Sequence, residues 1–232
     1  MPDPSLDVLC IGNAIVDVIA DATDDFLARE GLVKGSMRLI DAEEAERLYS
    51  HMGRAHQVSG GSAGNTAAGV AALGGRAGFI GQVAPDQLGG FYRHDLTAAG
   101  VEFTTAAADV GAPTARSMIL VTPDGHRTMN TFLGAAQHLP ASALDEEQIG
   151  GASILYLEGY LWNAEQSRDA MKRAIKMARD AGRKVALTLS DTFVVEGHRD
   201  EFFEGGTVLH QPHLVTVSNL TPKQLCASPG RS

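Results

Sequence analysis

Six residues near the start of the chain set the strongest limit on its fold. Leu6 to Ile11 (LDVLCI) is a nearly continuous apolar run that ends at Gly12-Asn13. A half-exposed strand alternates in polarity, so a nearly continuous apolar run with a glycine stop is expected of a central strand covered on both faces. Such a strand needs helices above and below its sheet, and the chain supplies them in alternation. Ile15 to Ala20 resumes a strand pattern, Asp24 to Glu30 reads as a short helix stopped by Gly31, and Met37 to Ile40 reads as a strand. Asp41 is an N-cap with Glu44 three residues on, which predicts a helix through Tyr49 to His51. An alanine-rich segment runs from the Gly60–Asn65 cluster to Leu73 and closes at Gly74-Gly75. Further strands are expected at Ala77 to Val83, Val101 to Phe103, Ser153 to Leu157 and Lys184 to Leu189, with helices at Leu88 to Ala99 and Ala164 to Ala181. This rhythm is that of βαβ units and a mostly parallel sheet. One stretch breaks it: Ala115 to Val121 and Thr128 to Phe132 flank the turn sequence Thr122-Pro123-Asp124-Gly125. A hairpin outside the alternation predicts a small β subdomain on a larger α/β domain, with a ligand cleft between them.

Charge and composition narrow the function classes. The formal net charge is −9 and no Lys/Arg run occurs, which argues against a nucleic-acid or anionic-membrane partner, since both require a basic surface. No apolar stretch reaches bilayer-spanning length and the start, MPDPSLD, lacks the order of a signal peptide, so a cytoplasmic location is expected. With only Cys10 and Cys226 there is no disulfide framework, and Cys10, inside an apolar run, reads as a buried thiol. Residues 205–232 contain no Asp or Glu, where the frequency in the rest of the chain would give roughly four. That break, with Pro212, Pro222 and Pro229, divides the chain into a domain over 1–204 and an atypical tail over 205–232 that reads as frame-shifted or disordered.

Three constellations could carry chemistry: Gly12-Asn13 with Asp17, Gly60-Gly61 with Asn65, and the Asp124-Gly125-His126-Arg127 turn. Each has a bland explanation. A carboxylate after a strand end is usually solvated, although one set inside the apolar run Ala14 to Ala20 could accept hydrogen bonds from a polyol. Gly-Gly before a helix is more often a tight turn than a ligand cradle. There is no G-x-G-x-x-G after the first strand and no G-x-x-x-x-G-K-[ST], so dinucleotide and P-loop readings lose support. No H-E-x-x-H, Cys/His cluster or G-x-S-x-G occurs, so neither a metal site nor a serine hydrolase is indicated.

Taken in order, the motifs resemble the ribokinase-like (PfkB) sugar and nucleoside kinases, and most closely the adenosine kinase branch. The resemblance runs from Leu6 to Phe203. It rests on GNAIVD (Gly12 to Asp17), GGSAGNTA (Gly60 to Ala67), FIGQVAPDQLG (Phe79 to Gly89), VTPDGHRTMNTFLGA (Val121 to Ala135), YLEGYLW (Tyr156 to Trp162) and LSDTF (Leu189 to Phe193). It implies a three-layer, doubly wound α/β domain with a β lid built from segments near 13–20, 36–40 and 114–133. It also implies that Asp17 and Asn13 accept or orient substrate hydroxyls, that the Gly60 and Gly61 amides and the Asn65 side chain complete the sugar site, and that Arg127 stabilises charge on a transferred phosphoryl group. Met37, Leu39, Met129, Leu133, Leu161 and Phe193 fall where nucleoside kinases line the base pocket, although ordinary core packing explains apolar residues equally well.

The same resemblance implies transfer of the γ-phosphoryl of MgATP to a primary hydroxyl, such as the 5′-OH of adenosine, by a base in a G-A-G-D motif. This sequence has no G-A-G-D, and Asn219-Leu220-Thr221-Pro222 has proline where the family's N-x-x-E motif has glutamate. Ala84-Pro85 and Thr192-Phe193-Val194 also depart from the family pattern. The expectation is therefore a C-terminally truncated chain that keeps the substrate site, binds ATP and Mg2+ doubtfully, and is inactive alone. Within the family a ribose or fructose kinase is the alternative; outside catalysis, a ligand-binding fragment. Pairing of two copies through the lid is a further expectation.

Overall fold

A computed structural model describes residues 4–109, 111–199, 201 and 214–217. The central apolar run forms strand β1 (Leu6–Ile11), and its residues divide between two cores. Leu9 and Ile11 enter one hydrophobic cluster while Cys10 enters the other, so both faces of the strand are covered and no alternation in polarity survives. Around it lies an all-parallel sheet in the order β11-β10-β9-β1-β5-β6. Its other strands are β5 (Ala77–Ile80), β6 (Val101–Glu102), β9 (Ala152–Glu158), β10 (Lys184–Thr188) and β11 (Leu214–Val217).

Helix α6 (Glu165–Asp180) covers one face. Its buried residues recur at helical spacing; Ala170, Met171, Ala174, Ile175 and Ala178 cluster with Leu155, Leu157 and Leu187, while the Ser167 hydroxyl donates to Gln137 O at 2.7 Å. The other face is covered by α3 (Ser62–Ala72) and α4 (Gln87–Ala98). There the small residues Ala63 and Ala67 allow close approach, and Phe79, Tyr92 and Phe103 pack ring to ring with centroids 5.4–5.9 Å apart.

After β1 the chain crosses in three residues, Gly12 to Ala14, into a second sheet ordered β3-β8-β7-β2-β4. Its strands are β2 (Ile15–Asp21), β3 (Met37–Leu39), β4 (Ala55–Gly60), β7 (Ala115–Val121) and β8 (Arg127–Phe132). The buried side chains of β2, Val16, Val18 and Ala20, join a core with Leu27 of α1 (Asp24–Arg29), Ala45 and Leu48 of α2 (Ala42–His51) and Met118 and Leu120 of β7. The Asp41 cap forms as expected, its carboxylate accepting from the Glu44 N–H at 2.8 Å. The turn between β7 and β8 closes through Gly125 N–H to Thr122 O at 2.8 Å. Ile15 pairs with both Gly60 and Ala115, and Phe132 pairs with Arg116. The chain thus passes between the two sheets along one line of residues. Asp86, the N-cap of α4, fixes part of that line by accepting from Thr114 N–H at 2.8 Å and Thr114 Oγ1 at 2.7 Å.

Several elements differ from the sequence expectation. β4 and the short helices α5 (Glu146–Gly150) and α7 (Thr192–Gly197) were not among the expected elements. The sequence AHQVSG of β4 carries almost no apolar signal, because the strand joins the sheet edge through backbone pairing with β2. The strand expected over Ala77 to Val83 stops at Ile80. Within the segment 205–232, read from the sequence as an atypical, frame-shifted or disordered tail, residues 214–217 pair in parallel with Val185–Thr188. The rest of that segment, including Cys226, lies outside the described residues. Cys10 is fully buried, and burial pushes its thiol up to about 12.

The two structural levels predict different stability losses. Leu157→Ala, in the main core, is expected to cost about 2–5 kcal/mol, whereas Asp41→Ala, removing one cap, should cost about 1 kcal/mol. Urea unfolding of the two variants beside the parent chain measures both.

Candidate substrate site on the second sheet

The pleat of the second sheet sorts its side chains. Val16, Val18 and Ala20 point into the core, so Ile15, Asp17 and Ile19 point to the opposite face. Register extends that face across the sheet. Asp17 aligns with Val58 on one side and with Ser117, Thr131 and Leu39 on the other. Ile19 heads a parallel row with Ile119, Met129 and Met37, and the next row holds Asp21, Val121 and Arg127. A polar row, with Ser117 and Thr131 hydroxyls 2.8 Å apart, therefore lies beside an apolar one. Leu39 at 54% and Val58 at 40% exposure leave this face open at its edges.

Asp17 is half-buried among these groups. Burial pushes its pKa up to about 6, against the downward pull of the Arg127 guanidinium. A Cβ on Gly60 would stand 2.4 Å from the Asp17 carboxyl carbon, and one on Gly61, whose φ is +84°, would stand 2.2 Å from the Asn13 carbonyl oxygen. Both glycines are thus required by the fold around Asp17 and Asn13 before any ligand is considered. Helix α4 fixes the same turn from behind: the Tyr92 hydroxyl donates to Gly60 O at 3.1 Å, and Ser59 N–H donates to Asp95 at 2.7 Å.

Sequence reasoning passed over the residue that joins these parts. Glu158, at the end of β9, is buried at 1% exposure. Its Oε1 accepts from the Asn13 side-chain amide at 2.7 Å and the Asn13 backbone N–H at 3.3 Å. Its Oε2 accepts from the Ser62 hydroxyl at 2.8 Å and from Ala63 N–H at 2.9 Å, in the first turn of α3. Complete burial raises its pKa while these four donors oppose the rise. The signal in the sequence is the lone acid in YLEGYLW, at the end of an apolar run, as Asp17 is an acid inside one.

The other expected residues divide. Asn65 is exposed on the first turn of α3, its N–H bonded to Gly61 O at 2.9 Å. Met37, Leu39, Met129 and Arg127 share the Asp17 face, and Leu133 follows β8, half-buried. Leu161 does not line this surface: the 3₁₀ turn Gly159–Asn163 directs it into the main core, where it is 1% exposed and clusters with Leu157 and Val194. Phe193, 40% exposed on α7, packs against Tyr160 with ring centroids 6.0 Å apart. A cavity of about 1060 Å³ lies elsewhere, against residues 104–109 and 138–148, and holds none of the expected site residues. Convergent polar groups identify the Asp17 face better than volume does. Among the described residues no group of three or more His, Cys, Asp and Glu side chains is placed to hold a metal ion, and no helix is long and apolar enough to cross a membrane.

Residues 5–202 match the profile of the pfkB family carbohydrate kinases. The solved adenosine kinase from Sinorhizobium meliloti is 53% identical and superposes with a TM-score of 0.79, covering 86% of this chain and 61% of its own. A probable sugar kinase from Rhizobium etli CFN 42 is 49% identical with a TM-score of 0.80, covering 86% and 60%. Guanosine-inosine kinase from Escherichia coli K12 is 30% identical over 198 residues, which are 81% of this chain and 46% of that enzyme. The chain spans about half the length of the curated relatives it matches.

The raised pKa of Asp17 has a thermodynamic sign. An acid with a higher pKa folded than unfolded binds more protons when folded. Its contribution to stability is therefore fullest below the ordinary value of 3.8 and is lost as pH rises through about 6. Asp17→Asn should accordingly raise stability by about 1–2 kcal/mol at pH 8, allowing for partial solvent screening, and change it little near pH 4. Urea denaturation at the two pH values checks the difference.

Proposed function

Because the chain belongs to the pfkB family of carbohydrate kinases, we propose that it carries the acceptor-binding part of a nucleoside kinase and takes an adenosine-like nucleoside on the Asp17 face. The observation that carries this reading is the adjacency of the two rows. Asp17, Ser117 and Thr131 offer polar groups to ribose hydroxyls, and Ile19, Ile119, Met129 and Met37 offer an apolar strip to a base. The adenosine kinase from Sinorhizobium meliloti, at 53% identity, supports the same substrate. In this reading Asp17 and Asn13 bind hydroxyls, the Gly60 and Gly61 amides and Asn65 close the sugar end, and Leu39, Leu133 and Phe193 border the base. Arg127 stands near the transferred phosphoryl group.

Kinases of this family imply ATP as donor. In this reading the chain does not itself supply the donor side of the site, because the sequence contains no G-A-G-D and, by the family resemblance, Pro222 takes the place of a glutamate. The function proposed for this chain alone is nucleoside binding without turnover. Two copies pairing along an edge of the second sheet, at β3 or β4, belong to the same proposal, and size-exclusion chromatography measures that state.

Fructokinase from Klebsiella pneumoniae, 31% identical over 155 residues, favours a second reading with a free sugar as ligand. Thermal melting separates the two. Adenosine should raise the melting temperature and fructose or ribose should not; the reverse result refutes the nucleoside. Calorimetry should show adenosine affinity rising as pH increases through about 6, where Asp17 ionises, and falling at least about tenfold in Asp17→Asn. In an ATP-coupled assay the chain should give no turnover, and rates of about 1–100 per second would overturn the expected inactivity.

A further inference from the structure

All four groups that meet the Glu158 carboxylate can donate, and three of them, the Asn13 N–H, Asn13 Nδ2 and Ala63 N–H, cannot accept. Each carboxylate oxygen faces at least one N–H. A glutamine in the same place would turn its NH2 onto an N–H whichever way it were oriented, so shape alone does not satisfy the position. The requirement is for acceptors on both sides.

This requirement fixes the Asn13 side chain. With Nδ2 held 2.7 Å from Glu158 Oε1, Oδ1 points away from the carboxylate, and it is buried without a hydrogen-bond partner among the described residues. Buried acceptors are rarely left unpaired, so Oδ1 awaits a donor from a ligand or a bound water. The Asn13 backbone carbonyl and the Asp17 carboxyl group lie against the consecutive glycines 61 and 60, which makes the two residues neighbours.

We propose that Glu158 is a positioning residue that sets the polarity of the substrate site: it presents Asn13 Oδ1 as an acceptor alongside the Asp17 carboxylate, so that the ligand must bring hydroxyl donors, as a vicinal diol does. The ligand half of this statement rests on the nucleoside reading above. The Asn13 orientation does not.

The experiment has two arms on the full chain. In the first, hydrogen exchange of the Asn13 side-chain amide is followed by NMR with 15N label. It should be at least about tenfold slower than that of the exposed Asn65, and Glu158→Gln should remove the protection. Equal exchange for Asn13 and Asn65 in the parent chain overturns the assignment even if the variant does not fold, and so does a folded variant that keeps the protection. In the second arm, calorimetry compares adenosine with 2′,3′-dideoxyadenosine. A preference for adenosine of at least about tenfold in the parent chain, lost in Glu158→Gln, is expected; equal binding of the two by the parent overturns the requirement for donors. If neither nucleoside binds, the nucleoside reading and the ligand half fail together, while the exchange arm still decides the role of Glu158.

Discussion

One buried carboxylate holds together the three chain segments on which the site depends. Glu158 connects the end of β1, the end of β9 and the first turn of α3 through four hydrogen bonds. Removing a charge from water is costly, and it is offset here by a full set of donors and by the positive end of an eleven-residue helix. The geometry of Asn13 and of the Gly60-Gly61 turn follows from this junction. A side chain at Gly12 would meet the same carboxylate, 2.6 Å from Oε2, so even the exit from β1 is shaped by it.

Asp17 is a carboxylate of the opposite kind. It lies on an open face, its pKa is raised by burial to about 6, and its surroundings supply few compensating donors. An under-satisfied acid is destabilising to the fold, and such local costs are characteristic of functional positions. The two acids, on neighbouring segments, thus differ in how fully the fold itself supplies their partners.

Most of the main domain could be read from the sequence because its signals are local. Continuous apolarity gave β1, the segment between the strands at 153–157 and 184–189 gave α6, and Asp41 with Glu44 gave the start of α2. What escaped depends on partners distant in sequence. β4 is a strand because β2 lies beside it. Glu158 is a hub because residues 62, 63 and 13 converge on it. The apolar candidates make the same point. Met37 and Met129 share a face through the pairing of β3 with β8, whereas Leu161, equally apolar, turns into the core through a 3₁₀ turn. Nothing within either segment distinguishes the two cases; the register of the sheet does.

The line along which the chain passes between its two sheets orders the residues of the second sheet by their distance from it. Ile15, Gly60 and Ala115 mark that line. Asp17 stands two residues from it, about 7 Å, and Arg127, opposite Val121, stands six residues from it, about 20 Å. Any rigid swing about that line would carry the guanidinium roughly three times as far as the carboxylate. The acid therefore lies on the part of the sheet that such a rotation displaces least and the arginine on the part that it displaces most.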